Sequence, residues 1–265
     1  VGVGRAGAAD QAAYALGARL LGNSTRRAAI EVTFGGLRVR AEGGLLVCLT
    51  GALASATVDG VPVGHAAPFA LADGSELELG MPSSGLRTYV SVRGGLGVDP
   101  VLGSRSMDTM SGLGPPPLRV GDALPVGPAP RTLPHVDVAP VGKPTDDPIV
   151  LRVSAGPRLD WFEDPEALAS TSWTVSDRSD RRGIRLLGEP LTRWPQSRDQ
   201  ELPSEGMVRG AIQVPPNGEP VIFLNDHPVT GGYPVIGVVD AVDVDRAAQL
   251  VPGQPVGFRW VPSYW

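Results

Sequence analysis

The residues able to do chemistry gather in four short stretches. Residues 224–233, LNDHPVTGGY, set Asp226 beside His227 and follow them with Thr230, Gly231, Gly232 and Tyr233. An imidazole titrates near neutral pH and can act as acid or base, so His227, Asp226 and Tyr233 are the candidate catalytic groups. Neighbours on a strand point to opposite faces, so Asp226 need not orient His227. His227 precedes Pro228, which biases it to extended backbone; a structural histidine is the competing reading. Residues 204–218, SEGMVRGAIQVPPNG, put Gln213 on a strand. Its amide can hold a planar amide or carboxylate, or it can be an edge residue with satisfied partners. Gln213, Asn217, Gly231 and Gly232 are read as substrate contacts.

The third stretch, residues 93–122, opens with Arg93-Gly94-Gly95 at a strand end and runs on to Gly103-Ser104-Arg105-Ser106. Backbone donors, two hydroxyls and a guanidinium suit a carboxylate or phosphate, which Arg grips through two parallel hydrogen bonds. A turn with a structural Arg explains the same residues. Arg93, Ser104, Arg105 and Ser106 complete the candidate binding set. The fourth stretch, SDRSDRRG at residues 176–183, is most simply a solvated loop, although its Arg side chains can line a cleft for an acidic substrate.

Composition removes other chemistries. A single Cys forbids an internal disulfide and a Cys-rich metal cage. The His residues, at 65, 135 and 227, are far apart, and no metal site is expected. The only Lys, Lys143, lies in VGKPTDDP, where the Pro after GK excludes a Walker loop and solvated loop charge is the simplest reading. No G-x-S-x-G elbow occurs and no Lys sits near a serine cluster, so a self-contained serine hydrolase is disfavoured. The formal charge is −5 and the Arg residues are scattered, which argues against nucleic acid as a partner. The longest charge-free apolar stretch, near residues 43–58, is shorter than the ~20 residues that span a bilayer. With no basic start and apolar run at the N-terminus, the expected location is cytoplasmic, with no membrane partner. The chain opens on Val rather than Met, which leaves room for residues upstream.

The elements that must position these groups read as strands. Gly 35 and Pro 27 in 265 residues are about twice the usual share, and both break helix interiors. Residues 29–34, 45–50, 76–79, 88–93, 149–153, 183–187, 211–214, 221–224 and 235–239 are apolar or β-branched runs. Asp59-Gly60 and Asn217-Gly218 mark hairpin turns. Residues 45–50 form a continuous apolar run, as for a strand buried on both faces, with Cys48 as packing. Three helices are expected: one capped by Asp10 and stopped at Gly22, one opened by Asp164-Pro165, and one opened by Asp243. The expected fold class is mainly β, with few short helices. The Pro-rich stretch near 125–148 divides it into a domain at 1–130, a linker at 131–148 and a domain at 149–265.

Longer strings add a family. YVSVRGGLGVDPVLGSRS (89–106), SDRSDRRGIRLLGEPL (176–191) and GAIQVPPNGEPVIFLNDHPVTGGYPVIGVV (210–239) resemble the family of the 5-oxoprolinase C subunit. It is also called the KipA or allophanate hydrolase subunit 2 family, and is similar to the carboxyltransferase domain of urea carboxylase. Residues 5–23 and 30–52 resemble its opening segments. The resemblance implies two cyclophilin-like β-barrel domains. It implies a B-type partner (KipI-like, allophanate hydrolase subunit 1) and an A-type partner, together opening the lactam of 5-oxoproline to glutamate with ATP. No nucleotide loop stands in this sequence, so the ATP site is then shared with partners or atypical. Two alternatives come with the family: biotin-dependent carboxyl transfer to urea or a related amide, and a KipA-like regulator that binds a KipI-like inhibitor of a sensor kinase. No Met-Lys-Met site exists, so this chain carries no covalent biotin. Val235 stands where many relatives have Lys after T-G-G-Y-P.

Overall fold

The computed structural model describes residues 2–142, 144–198, 200 and 202–262; Lys143 lies outside the described residues. The chain divides into two units, one of residues 10–107 and 114–145, the other of residues 1–9, 108–113 and 146–265.

The first unit contains helix α1 (Gln11–Leu20) and strands β1 (Ile30–Thr33), β2 (Arg38–Arg40), β3 (Leu45–Gly51), β4 (Ala54–Val58), β5 (Val61–Pro62), β6 (Pro68–Leu71), β7 (Glu76–Pro82) and β8 (Arg87–Val92). They form two antiparallel four-stranded sheets, ordered β1-β8-β3-β6 and β2-β7-β4-β5. Period-two alternation turns Val47, Leu49, Val90 and Val92 of one sheet and Ala56, Leu77 and Leu79 of the other into a shared core. Asp59 and Gly60 both adopt positive φ, which a two-residue hairpin between β4 and β5 requires.

Strand β3 is buried on its second face too, because α1 covers it. Cys48, fully buried, packs with Leu20, Leu21 and Ala66. The Asp10 carboxylate caps α1 by accepting from Ala13 N at 2.8 Å. Asp10 N donates to Tyr89 Oη at 2.8 Å, and Tyr89 Oη donates to Glu31 Oε2 at 2.7 Å. Thr50 Oγ1 donates to Ala13 O at 2.7 Å. A Cβ at Gly17 would stand 2.6 Å from Ser91 Oγ, so glycine permits this close seating of the helix. Residues 125–139 run along the same unit: Gly97 N donates to Pro125 O, Gly127 N to Gly95 O and Ala139 N to Ala66 O.

The second unit holds β9 (Ile149–Ala155), a 3₁₀ turn (Leu159–Trp161), α2 (Ala167–Ser170), β10 (Trp173–Val175), β11 (Gly183–Leu187), α3 (Pro195–Arg198), β12 (Glu205–Gly206), β13 (Ala211–Gln213), β14 (Val221–Phe223), β15 (Thr230–Gly231), β16 (Val235–Val239), α4 (Ala241–Ala247) and β17 (Pro255–Trp260). Seven strands close a barrel in the order β10-β11-β14-β13-β16-β9-β17. The β17–β9 pair is parallel and the others are antiparallel. Leu151, Trp173, Ile184, Leu186, Ile212, Ile222 and Ile236 fill its core with no solvent exposure. The interior is packed with hydrocarbon, so its polar chemistry is carried on the connections.

The helix expected to open at Asp243 starts earlier. Asp240 is the N-cap of α4, its carboxylate accepting from Val242 N at 3.2 Å. Asp243 lies inside the first turn, where Arg152 and Arg246 both donate to it. An acidic residue serves either position, so sequence alone misplaced the start by about one turn. Sequence reading also left out β2, β6, β10, β12, β15 and β17. Several are two or three residues long, too short for an alternation to register.

Burial raises the Cys48 thiol pKa to about 12. Cys48 is therefore expected to stay silent toward Ellman's reagent at pH 8 in the native chain and to react stoichiometrically once guanidinium unfolds it. Rapid reaction of the folded chain would contradict this packing.

Candidate functional site

The connection from β14 to β16 carries most of the candidate groups, and a buried ion pair fixes it. Asp226 is 1% exposed. Its Oδ2 accepts from Arg181 Nε at 3.1 Å, Thr109 N at 3.1 Å and Thr109 Oγ1 at 2.9 Å, and its Oδ1 from Arg181 Nη2 at 3.4 Å. Arg181 Nη2 also donates to Gly7 O at 2.6 Å. Three remote stretches of one unit thus meet at a single carboxylate. Arg209 acts similarly one residue away: it donates to Asn225 Oδ1 at 2.8 Å, Ala9 O at 2.7 Å and Asp245 Oδ1 at 2.6 Å.

His227 turns away from Asp226, and the two side chains share no hydrogen bond. The imidazole stacks on Phe223 with centroids 5.7 Å apart, and Nδ1 lies 2.8 Å from Pro228 O. This ring is partly buried, and its stacking fixes the plane in which Nε2 is offered.

Beyond His227 the chain pairs β15 with β12, bringing Gly231 opposite Glu205, which forms an ion pair with Arg158. Gln213 is 7% exposed, and its Nε2 donates to Tyr233 O at 3.2 Å. A Cβ at Gly231 would stand 2.5 Å from that same Nε2 and 3.3 Å from Met207 Sδ, so the missing side chain is the space the Gln213 amide occupies. A Cβ at Gly232 would meet only Leu202 O, at 3.4 Å. Tyr233 is 45% exposed. Gln213, Gly231 and Tyr233 therefore form one cluster in the barrel unit. Asn217 stands apart in the β13–β14 turn, where its amide bonds Glu219 at both ends.

Sequence reading did not single out Arg193, which the structure brings to this cluster. Its backbone bridges Phe162, and its Nη2 donates to Val214 O at 2.6 Å. Burial holds its pKa below the ordinary guanidinium value, and the Tyr233 phenol acts in the opposite sense. An isolated Arg in LTRWPQSR gives no motif, so pattern reading had nothing to register.

The other candidates belong to the first unit. Arg93 lines a cleft of about 650 Å³ with Leu45, Leu46, Val58 and Leu71. That volume suits a small ligand. The guanidinium donates to Leu21 O at 3.1 Å and Pro130 O at 2.6 Å. Residues 101–104 form a tight turn, with Leu102 and Gly103 at positive φ. Ser104 Oγ accepts from Ser106 N at 3.1 Å within it. Arg105 Nε donates to Arg26 O at 3.1 Å. Among the described residues no group of three or more His, Cys, Asp or Glu could hold a metal ion, and no helix is long and apolar enough to cross a membrane.

Asp226→Ala would leave the Arg181 guanidinium without its counter-charge. We expect a loss of roughly 3–5 kcal/mol in denaturant unfolding and earlier proteolysis at residues 108–113. An unchanged midpoint would remove the ion pair from this role.

Residues 1–260 match the family described as carboxyltransferase domain, subdomain A and B. The chain is 35% identical over 271 residues to the C subunit of 5-oxoprolinase from Escherichia coli, covering 97% of this chain and 83% of that one. It is 31% identical to urea amidolyase of Saccharomyces cerevisiae, covering 97% of this chain and 15% of that protein. The fold superposes on the crystal structure of the K. lactis urea amidolyase with a TM-score of 0.88 at 27% identity, over 97% of this chain and 17% of that one. It superposes on TTHA0988 with a TM-score of 0.87 at 30% identity, over 97% of this chain and 50% of that one. The chain thus spans about half of one solved relative and a small part of the amidolyases. The family match runs from the first residue through the last strand of the barrel, and the chain belongs to the carboxyltransferase domain family, subdomain A and B.

Proposed function

We propose that the chain is the C subunit of an ATP-dependent 5-oxoprolinase. It works with a B-type partner (KipI-like, allophanate hydrolase subunit 1) and an A-type partner to open the lactam of 5-oxoproline to glutamate. The observation that carries this reading is the similarity to the C subunits of 5-oxoprolinases. It extends over 83% of the E. coli chain and 84% of the Haemophilus influenzae one, against 15% of the amidolyases. The substrate offers a planar amide and a carboxylate. Gln213 and Tyr233 are the proposed holders of the amide plane, a reading supported by their grouping beside Gly231. The partly buried His227 is the acid or base for the ring nitrogen or the attacking water. In the first unit, Arg105 with Ser104 and Ser106 is a separate donor set for a carboxylate or phosphate oxygen.

The sequence holds no Walker-type nucleotide loop. The N-terminus of α1, the longest helix among the described residues, already holds the Asp10 carboxylate, which repels phosphate. The ATP site is therefore read as shared with the partner proteins, and no step is routed through it here. A second reading, carboxyl transfer to urea or a related amide, draws on the carboxyltransferase family match and the amidolyase fold. It calls on the same amide-holding cluster with a biotin carrier supplied by another protein.

Co-expression with the A-type and B-type partners, followed by an assay of ATP-dependent glutamate release from 5-oxoproline, tests the first reading. Activity in the full mixture that vanishes when this chain is omitted is the expected result. Activity only with urea, bicarbonate and a biotinylated partner would transfer the conclusion to the second. Arg105→Ala is expected to abolish turnover of the assembly while leaving the circular dichroism spectrum unchanged; full turnover would remove Arg105 from the donor set.

A further inference from the structure

Arg193 is 8% exposed, and its Nε is sealed from solvent without a hydrogen-bond acceptor. One donor, Nη2, is committed to Val214 O. Among the described residues no carboxylate pairs with it. The guanidiniums of Arg152, Arg158, Arg181 and Arg209, in the same unit, each meet one. A guanidinium withdrawn from water without a counter-charge is unfavourable, and its planar fork matches a carboxylate. Two features describe the surroundings of this guanidinium. Val214, which receives Arg193, follows Gln213, and Gln213 holds the backbone of Tyr233. Tyr233 itself reaches solvent, so the cluster has an open side.

We propose that the Arg193 guanidinium is the binding site for the carboxylate of a small substrate acid, held beside the Gln213 amide. The identity of that acid as 5-oxoproline rests on the function proposed above; the anion site does not. Arg193 then fixes which end of a lactam acid faces the barrel rim. A neutral lactam lacks the group that compensates the buried charge, so the site discriminates against it.

The test uses the full chain, alone and in the reconstituted assembly, with three probes: 5-oxoproline, 2-pyrrolidinone (the same lactam without its carboxylate) and acetate (a carboxylate without the lactam). Thermal melting and calorimetric titration read binding. The wild type is expected to be stabilised by 5-oxoproline and, more weakly, by acetate, but not by 2-pyrrolidinone. Arg193→Met is expected to melt at or above the wild-type temperature without ligand, because it removes an unpaired buried charge, and to lose both carboxylate responses. Where Arg193→Met fails to fold, Arg193→Lys carries the test: carboxylate affinity should fall at least about tenfold, the loss of one charge-assisted hydrogen bond. Full carboxylate response in Arg193→Met, undiminished affinity in Arg193→Lys, or no carboxylate binding by the wild type would each overturn the proposal. An Arg193-dependent response to acetate without one to 5-oxoproline would uphold the anion site and reject the oxoprolinase reading.

Discussion

Asp226 holds its carboxylate out of water against Arg181, and that arrangement fixes the part of the barrel unit where chemistry is concentrated. In a low-dielectric interior such a pair is favourable only when its lone pairs are satisfied, and here Thr109 supplies two further donors. The geometry is therefore strongly determined. Residues 7, 109 and 181 converge on one side of residue 226, and the backbone on its other side leads to His227 and Thr230–Tyr233. An adjacent aspartate and histidine suggest a catalytic couple, but here the aspartate sets the position of the loop while the histidine stacks on Phe223.

The same division of labour runs through the barrel. Its interior is filled by Leu151, Trp173, Ile184, Ile212 and their neighbours, so it has no room for a ligand. Polar groups are relegated to the connections, where glycine allows close approach. Gly231 gives the Gln213 amide its place, and the bulge between Ile212 and Gln213 lets that strand leave its register next to it. Arg193 completes the cluster from a separate connection, fixed by its bridge to Phe162.

Much of the scaffold was legible from local pattern. The run at 45–50 reads as a strand covered on both faces because Val47 and Leu49 face one apolar core while Cys48 faces another. Asp59-Gly60 and Asn217-Gly218 sit in turns, where Asp59, Gly60 and Gly218 adopt positive φ and the Asn217 side chain bonds Glu219. Pairing across long separations left no such trace. Residues 205–206 and 230–231 are strands only because they meet each other, and β17 takes its place from its parallel partner β9. The cluster was half legible. Gln213, Gly231 and Tyr233 stood out as polar or glycine residues beside strong strands, and the structure groups them. Arg193 is invisible to such reading because its character comes from burial and from the absence of a nearby acid, neither of which is written in residues 191–198.

The parallel pairing of β9 with β17 also bears on how this unit is made. These strands are separated by the whole of the barrel sequence, about a hundred residues, and each is the other's neighbour in the closed ring. Loop-closure entropy must be overcome before that contact contributes. During synthesis the first barrel strand leaves the ribosome long before its partner exists and meanwhile presents an unpaired edge of Ile149, Leu151 and Val153. Ring closure is thus a late event: β16 takes one edge of β9, and the other stays open until residues 255–260 have been made.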